Sequence, residues 1–231
     1  MFFDPVYLVF LAPGLALSLW ASWRVKSSFR KYSGIRSIRG MTGAQAAAEL
    51  LRQGGIRDVS IERSNGMLSD HYNPVTKKLA LSDEVYSSTS VAAIGVATHE
   101  AGHALQHAQH YRPLWLRSTL VPTANIGSNL GYIVMLGGLF LQSQGLVLVG
   151  ALMFSAVLLF QLVTLPVEFN ASNRAKALVL QQGIIHPNEI AGVNRVLNAA
   201  ALTYVAAVVS TLLTLLYFLI RAGLLGGRSD D

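Results

Sequence analysis

From Val6 to Trp23 the chain is apolar almost without a break and carries no charged residue. That length suits a helix crossing a bilayer, with Trp20 and Trp23 placed for the interface. Leu120 to Leu141 and Leu146 to Leu165 repeat the pattern on either side of the turn Gln142-Ser143-Gln144-Gly145, which predicts a membrane hairpin. Gly127, Gly131, Gly137 and Gly138 would let its helices pack closely. Ala199 to Ile220 is the fourth apolar run.

Between the first and second runs the pattern changes. Thr42 followed by Gln45 makes a capping box for a short helix that ends at Gly54-Gly55. Val59 and Ile61 alternate with polar neighbours up to Asn65-Gly66, which predicts a strand. Met67 to Tyr72, turning at Asn73-Pro74, and Lys77 to Ser82 predict two more, together a small antiparallel sheet. Ser87, Ser88, Thr89 and Ser90 offer N-caps for a helix from about Val91 to Gln109, with Pro113 marking its end. Beyond the hairpin, Pro166-Val167-Glu168 opens a polar helical stretch towards Gly183, and Pro187 with Glu189 starts another.

The expected fold is a mainly α membrane protein, with about four transmembrane helices and a small α+β region. Residues 1–23 form an anchor and 24–117 the α+β region with the sheet and the helix from Val91. Residues 118–166 form the hairpin, 167–200 a helical segment, and 201–231 the last span with a short mobile tail at Arg228 to Asp231. A cleaved signal peptide would want positive charge before the first run, where the chain has Asp4; Arg24, Lys26, Arg30 and Lys31 follow it instead.

Composition supports a membrane protein: of 231 residues, 52% are apolar and only 13% charged, against about 25% charged in soluble chains. The mean hydropathy is +0.43. With no cysteine, disulfides and thiolate metal sites are excluded. Thirteen of the 18 Lys and Arg lie between Arg24 and Arg117, three between Pro166 and Ala200 and two after Ile220. The positive-inside rule then places 24–117 and 166–200 in the cytosol and both termini and the hairpin turn outside, in the plasma membrane. Topology and contact with anionic lipid explain the net charge of +6 without nucleic acid.

The candidate chemistry lies in His99-Glu100-Ala101-Gly102-His103, an H-E-x-x-H string. On a helix its two histidines share one face and can hold one metal ion, with Glu100 placed as general base. A metzincin pattern requires Gly and His where the chain has Gln106 and Gln109, and His110 is off register by one. His107 lies on the same face, but His99, His103 and His107 spread over about 12 Å, too far for one small ion. A catalytic zinc site takes three protein ligands and leaves one position open. Glu168, His186 and Glu189 are the downstream choices, and Glu168 is the best because it follows the third apolar run directly.

These residues carry a resemblance. His99-Glu100-x-x-His103, a membrane hairpin and Glu168-Phe169-Asn170-Ala171 resemble the integral-membrane gluzincins such as the HtpX-like proteases. Asp70-His71-Tyr72-Asn73-Pro74, Ala97 to His107 and Leu165 to Phe169 more specifically resemble the YugP-like membrane zinc metallopeptidases. The resemblance implies a zincin-like catalytic region at 24–117 and a neutral peptidase with one Zn2+ held by His99, His103 and Glu168, and Glu100 as base. HtpX-like enzymes commonly carry an Asp where this chain has Ser172; Asn170, Asn173 or Asp70 are candidates to replace it in orienting a ligand histidine. His71, Tyr72 and Arg174 are candidate donors to the oxyanion, and His107 a group just outside the ligands.

The expected partners are a membrane-associated polypeptide substrate and the bilayer, and damaged membrane proteins fit as substrates. The alternative is a catalytically silent metal-binding adaptor, but a structural site normally has four protein ligands and gives Glu100 no purpose. A transporter fits poorly, because the spanning runs contain no Asp, Glu, Lys, Arg or His.

Overall fold

The computed structural model describes residues 5–66 and 68–225. The protein is mainly helical with one small sheet. It divides into two compact units: residues 1–21, 116–165 and 203–231, and residues 22–115 and 166–202. The tail Arg228 to Asp231 lies outside the described residues.

In the first unit the elements are apolar helices. Helix α1 (Pro5–Ser33), α7 (Gln144–Gln181) and α8 (Ile190–Arg221) are long and apolar enough to cross a membrane, and each continues into the second unit. The run expected from Leu120 to Leu141 is helical but interrupted. Helix α5 (Arg112–Ile126) passes into a π-helical turn at Gly127–Gly131 and resumes as α6 (Tyr132–Phe140). Three of its four glycines meet a neighbouring backbone: Gly127 packs on the Met153 carbonyl, a Cβ on Gly131 would lie 2.8 Å from Phe154 N, and one on Gly138 would lie 2.6 Å from Val147 N. Gly137 has open space. Tyr7, Tyr132, Phe154, Tyr217 and Phe218 pack edge-on or tilted around buried Met135.

The second unit is built on α4 (Val91–Ala108). Its N-terminus is capped by Ser90, whose hydroxyl accepts from Ala93 N at 3.2 Å. The helix ends at Ala108, five residues before Pro113. His110 there adopts a left-handed φ of 52°, and His110 N and Tyr111 N close on the His107 and Gln106 carbonyls at 3.0 and 2.9 Å, a Schellman ending. Helix α2 (Gly43–Gln53) carries the expected capping box of Thr42 and Gln45. It packs Ala46, Ala47, Leu50 and Leu51 into the core that α4 shares.

The sheet corrects the antiparallel expectation. Its order is β1 (Ser60–Ser64), β3 (Lys78–Ser82), β2 (His71–Asn73), with β1–β3 parallel and β2–β3 antiparallel. Leu79 and Leu81, both fully buried, make β3 the central strand. The Asn73 side chain accepts from Val75 N and Thr76 N at 2.9 and 3.2 Å, and Lys77 takes a left-handed φ of 52°. That turn pairs β2 with β3 and leaves the other edge of β3 to β1. The second strand is short, starting at His71 rather than Met67, which itself lies outside the described residues. A one-turn helix, α3 (Asp83–Tyr86), links β3 to the approach of α4.

Two proline expectations also change. Pro166 opens no new helix, because α7 runs through it from Gln144 to Gln181. The helix expected after Pro187 and the last apolar run are one helix, α8. Helix α7 continues past Pro166, the N–H that the proline lacks being a local loss only.

Candidate metal centre

Helix periodicity brings His99 and His103 to one face of α4, their rings 4.8 Å apart between centroids and nearly perpendicular. Helix α7 supplies Glu168 opposite them. Its Oε2 lies 3.2 Å from His99 Nε2 and 3.5 Å from His103 Nε2. One ligand atom from each of the three residues lies within 4.8 Å of the others. His103 and Glu168 are buried, and His99 is partly exposed. Because Glu168 sits in the interior of a 38-residue helix, the dipole of a helix N-terminus does not account for it.

The close approach of the two helices has a sequence cause. Gly102, between the two histidines, faces the backbone of α7 at Ala171, where a Cβ would stand 2.8 Å from the carbonyl oxygen. Ala97, Ala101, Ala104 and Ala175 are likewise buried in this core. Small side chains let the two backbones come near enough for Glu168 to reach both imidazoles.

Each imidazole is held by its other nitrogen. His99 Nδ1 lies 3.1 Å from the Ser172 hydroxyl. His103 Nδ1 lies 3.0 Å from Gln106 Oε1. With each Nδ1 engaged, both Nε2 atoms face the same carboxylate oxygen. Burial lowers the proton affinity of His103, but the hydrogen bond to Glu168 and the charge of Glu100 outweigh it and hold its pKa above the ordinary histidine value. The centre therefore attracts positive charge. Two imidazole nitrogens and a carboxylate oxygen, with the two outer nitrogens engaged, form a donor set that suits Zn2+.

Glu100 is buried next to His99 in sequence, and its charge reaches both His103 and Asp70. Asp70 accepts from Ser82 N at 2.8 Å and from the Ser82 hydroxyl. Burial, helped by the charge of Glu100, holds its carboxyl above the usual aspartate range.

The remaining sequence candidates spread around this group. Tyr72 OH meets His107 Nδ1 at 2.8 Å, beside a cavity of about 300 Å3 that Ile56, Val59 and Ala104 also line. Burial pushes the Tyr72 hydroxyl up to about 12. His71 is exposed and engages the Ser69 carbonyl at 2.8 Å. Arg174 Nε donates to Asn170 Oδ1 at 2.6 Å, and its Nη1 donates to Gln109. Asn173 is exposed on α7. His186 and Glu189 belong to the loop before α8, where Glu189 accepts from Ile38 N and His186 N, both at 2.9 Å. Gln106, which in the sequence serves only to exclude a metzincin, is fully buried and touches His103. Its one legible signal is a polar side chain three residues after a ligand histidine on the same helix face.

Comparison with known proteins agrees with this geometry. Residues 7–223 match the family described as "putative neutral zinc metallopeptidase". The chain is 45% identical over 226 residues to the "putative membrane protease YugP" of Bacillus subtilis strain 168, covering 98% of this chain and all of that protein. No solved structure matches. A family match over nearly the whole chain and a full-length relative coincide with a His-His-Glu group able to hold a metal, and the chain belongs to the family described in those words.

Proposed function

We propose that the protein is a membrane-integrated zinc metalloendopeptidase, with one Zn2+ held by His99, His103 and Glu168 and Glu100 as general base. The observation that carries this gluzincin-type reading is the convergence of the three ligand atoms around one point, with buried Glu100 on the same helix. Zinc bound there supplies a Lewis acid that acidifies water and polarises a peptide carbonyl. Glu100 takes the proton as water attacks the carbonyl carbon and delivers it to the leaving amine. Ser172 and Gln106 keep the two imidazoles turned towards the shared point. Glu168 balances the charge of the bound metal from the opposite helix.

The same proposal places the work at the cytosolic face of the plasma membrane. The distribution of Lys and Arg supports it, as does the position of Glu168 three residues past the apolar run that ends at Leu165. It takes the interrupted helix from Arg112 to Phe140 as a span, since four crossings return both termini to the outside. Membrane-associated polypeptides are the substrates this placement favours, in keeping with removal of damaged membrane proteins. A silent adaptor would need no buried glutamate beside the ligands.

Zinc content and peptidase activity of the purified protein, measured beside Glu100→Gln, test the proposal. The wild type is expected to carry one zinc and cleave peptides, and the variant to keep the zinc and lose cleavage. Full activity without zinc, or in Glu100→Gln, overturns it.

A further inference from the structure

We infer that Gln106 is a positioning residue that fixes which nitrogen of His103 faces the metal and ties that histidine to the helix carrying Glu168. The inference rests on the metal-centre reading above and adds a residue to it. Gln106 is fully buried, with its side chain between α4 and α7. Its Nε2 donates to the Val167 carbonyl at 2.8 Å and to Asn170 Oδ1 at 3.0 Å. Both bonds go to α7, on either side of Glu168 in the sequence.

These two bonds determine the direction of the amide. A backbone carbonyl only accepts, so the Gln106 group facing Val167 must be the NH2. The second acceptor is fixed from outside. Asn170 Oδ1 also receives Arg174 Nε at 2.6 Å, and a guanidinium only donates, so the Asn170 amide cannot turn its NH2 that way. Gln106 Oε1 is then the atom left facing His103, at 3.0 Å from Nδ1. An oxygen with no hydrogen requires Nδ1–H. In the neutral imidazole, the form that binds a metal, the free lone pair of His103 must therefore lie on Nε2, the nitrogen 3.5 Å from Glu168 Oε2.

His99 has no comparable lock. Its Nδ1 meets the Ser172 hydroxyl, which accepts or donates equally well. The side chain orienting this pair is thus an amide on the second histidine, held by a chain from Arg174 through Asn170. Arg174, a candidate for touching the oxyanion by sequence, belongs to that chain.

The test is zinc affinity by chelator competition, with ring-nitrogen NMR of the zinc-loaded protein, in full-length wild type, Gln106→Met and Gln106→Glu. Gln106→Met, similar in size but unable to accept from Nδ1–H, is expected to lower zinc affinity about 10–100-fold. Gln106→Glu keeps an acceptor for Nδ1–H but gives up the donor to Val167 and Asn170, and is expected to lose less affinity than Gln106→Met. The wild-type spectrum is expected to show His103 protonated at Nδ1 and bound through Nε2. Unchanged affinity in Gln106→Met overturns the inference, as does equal loss in both variants, which would mean that the acceptor facing Nδ1–H of His103 does not matter. Should Gln106→Met not fold, the wild-type spectrum still decides, because zinc on Nδ1 of His103 contradicts the lock. A wild type that binds no zinc would instead overturn the metal-centre reading itself.

Discussion

Gly102 and Ala171 mark the point where the histidine helix meets the backbone of the glutamate helix: a Cβ on Gly102 would stand 2.8 Å from the Ala171 carbonyl oxygen. The atom in the way is backbone, so no side-chain rotation relieves the clash. Gly102→Ala is expected to push α4 from α7, destabilise the fold by about 1–3 kcal/mol and weaken zinc binding, because Glu168 retreats from both imidazoles. Thermal unfolding and zinc titration of the purified variant check this. Wild-type zinc affinity in Gly102→Ala would show that the helix spacing does not set the ligand geometry.

Ser172 offers His99 a hydroxyl, with an Nδ1–Oγ distance of 3.1 Å. Removing the hydroxyl frees the ring without touching a ligand atom. Ser172→Ala is expected to lower zinc affinity about tenfold, the small end of the usual range for such partners, with the fold unchanged. Competition with a chelator of known affinity measures it.

Asp70 gives the fold a pH dependence of known sign. Burial, then the charge of Glu100, raises its carboxyl above the ordinary value, against the hydrogen bonds from Ser82. A carboxyl whose pKa is higher folded than unfolded favours the fold below the unfolded value and loses that contribution as pH rises through the folded one. Asp70→Asn keeps an acceptor for Ser82 N and cannot ionise. The variant is expected to gain in melting temperature relative to wild type as pH rises from acid towards neutral, and a constant difference across that range would contradict the shift.

The absence of cysteine makes the topology directly measurable with single introduced thiols. Gln53 and Gln144 are both exposed, the first at the end of α2 and the second at the start of α7. Gln144→Cys is expected to react with an impermeant maleimide in intact cells, and Gln53→Cys only after permeabilisation. Labelling of both from the same side would mean that the interrupted helix from Arg112 to Phe140 does not cross.

The sequence by itself determined what repeats at short range. The capping box at Thr42, the cap at Ser90 and the pairing of His99 with His103 on one face follow from backbone geometry within a few residues. The apolar runs followed from composition. Strand direction was not legible, because β1, β2 and β3 carry similar alternation, and only burial of Leu79 and Leu81 made β3 central. Pro166 marks no boundary for a related reason: a proline is a local signal, whereas α7 buries Val167, Ala171, Ala175 and Val179 beyond it, and that packing carries the helix on. The tertiary structure alone decided how the metal centre is held. Glu168 lies 69 positions from His99, and its approach depends on Gly102 meeting Ala171. The orientation of His103 depends on Gln106, Asn170 and Arg174 satisfying one another's hydrogen bonds across two helices. A sequence pattern records which residues share a helix face; it does not record which buried polar groups complete one another once two helices touch.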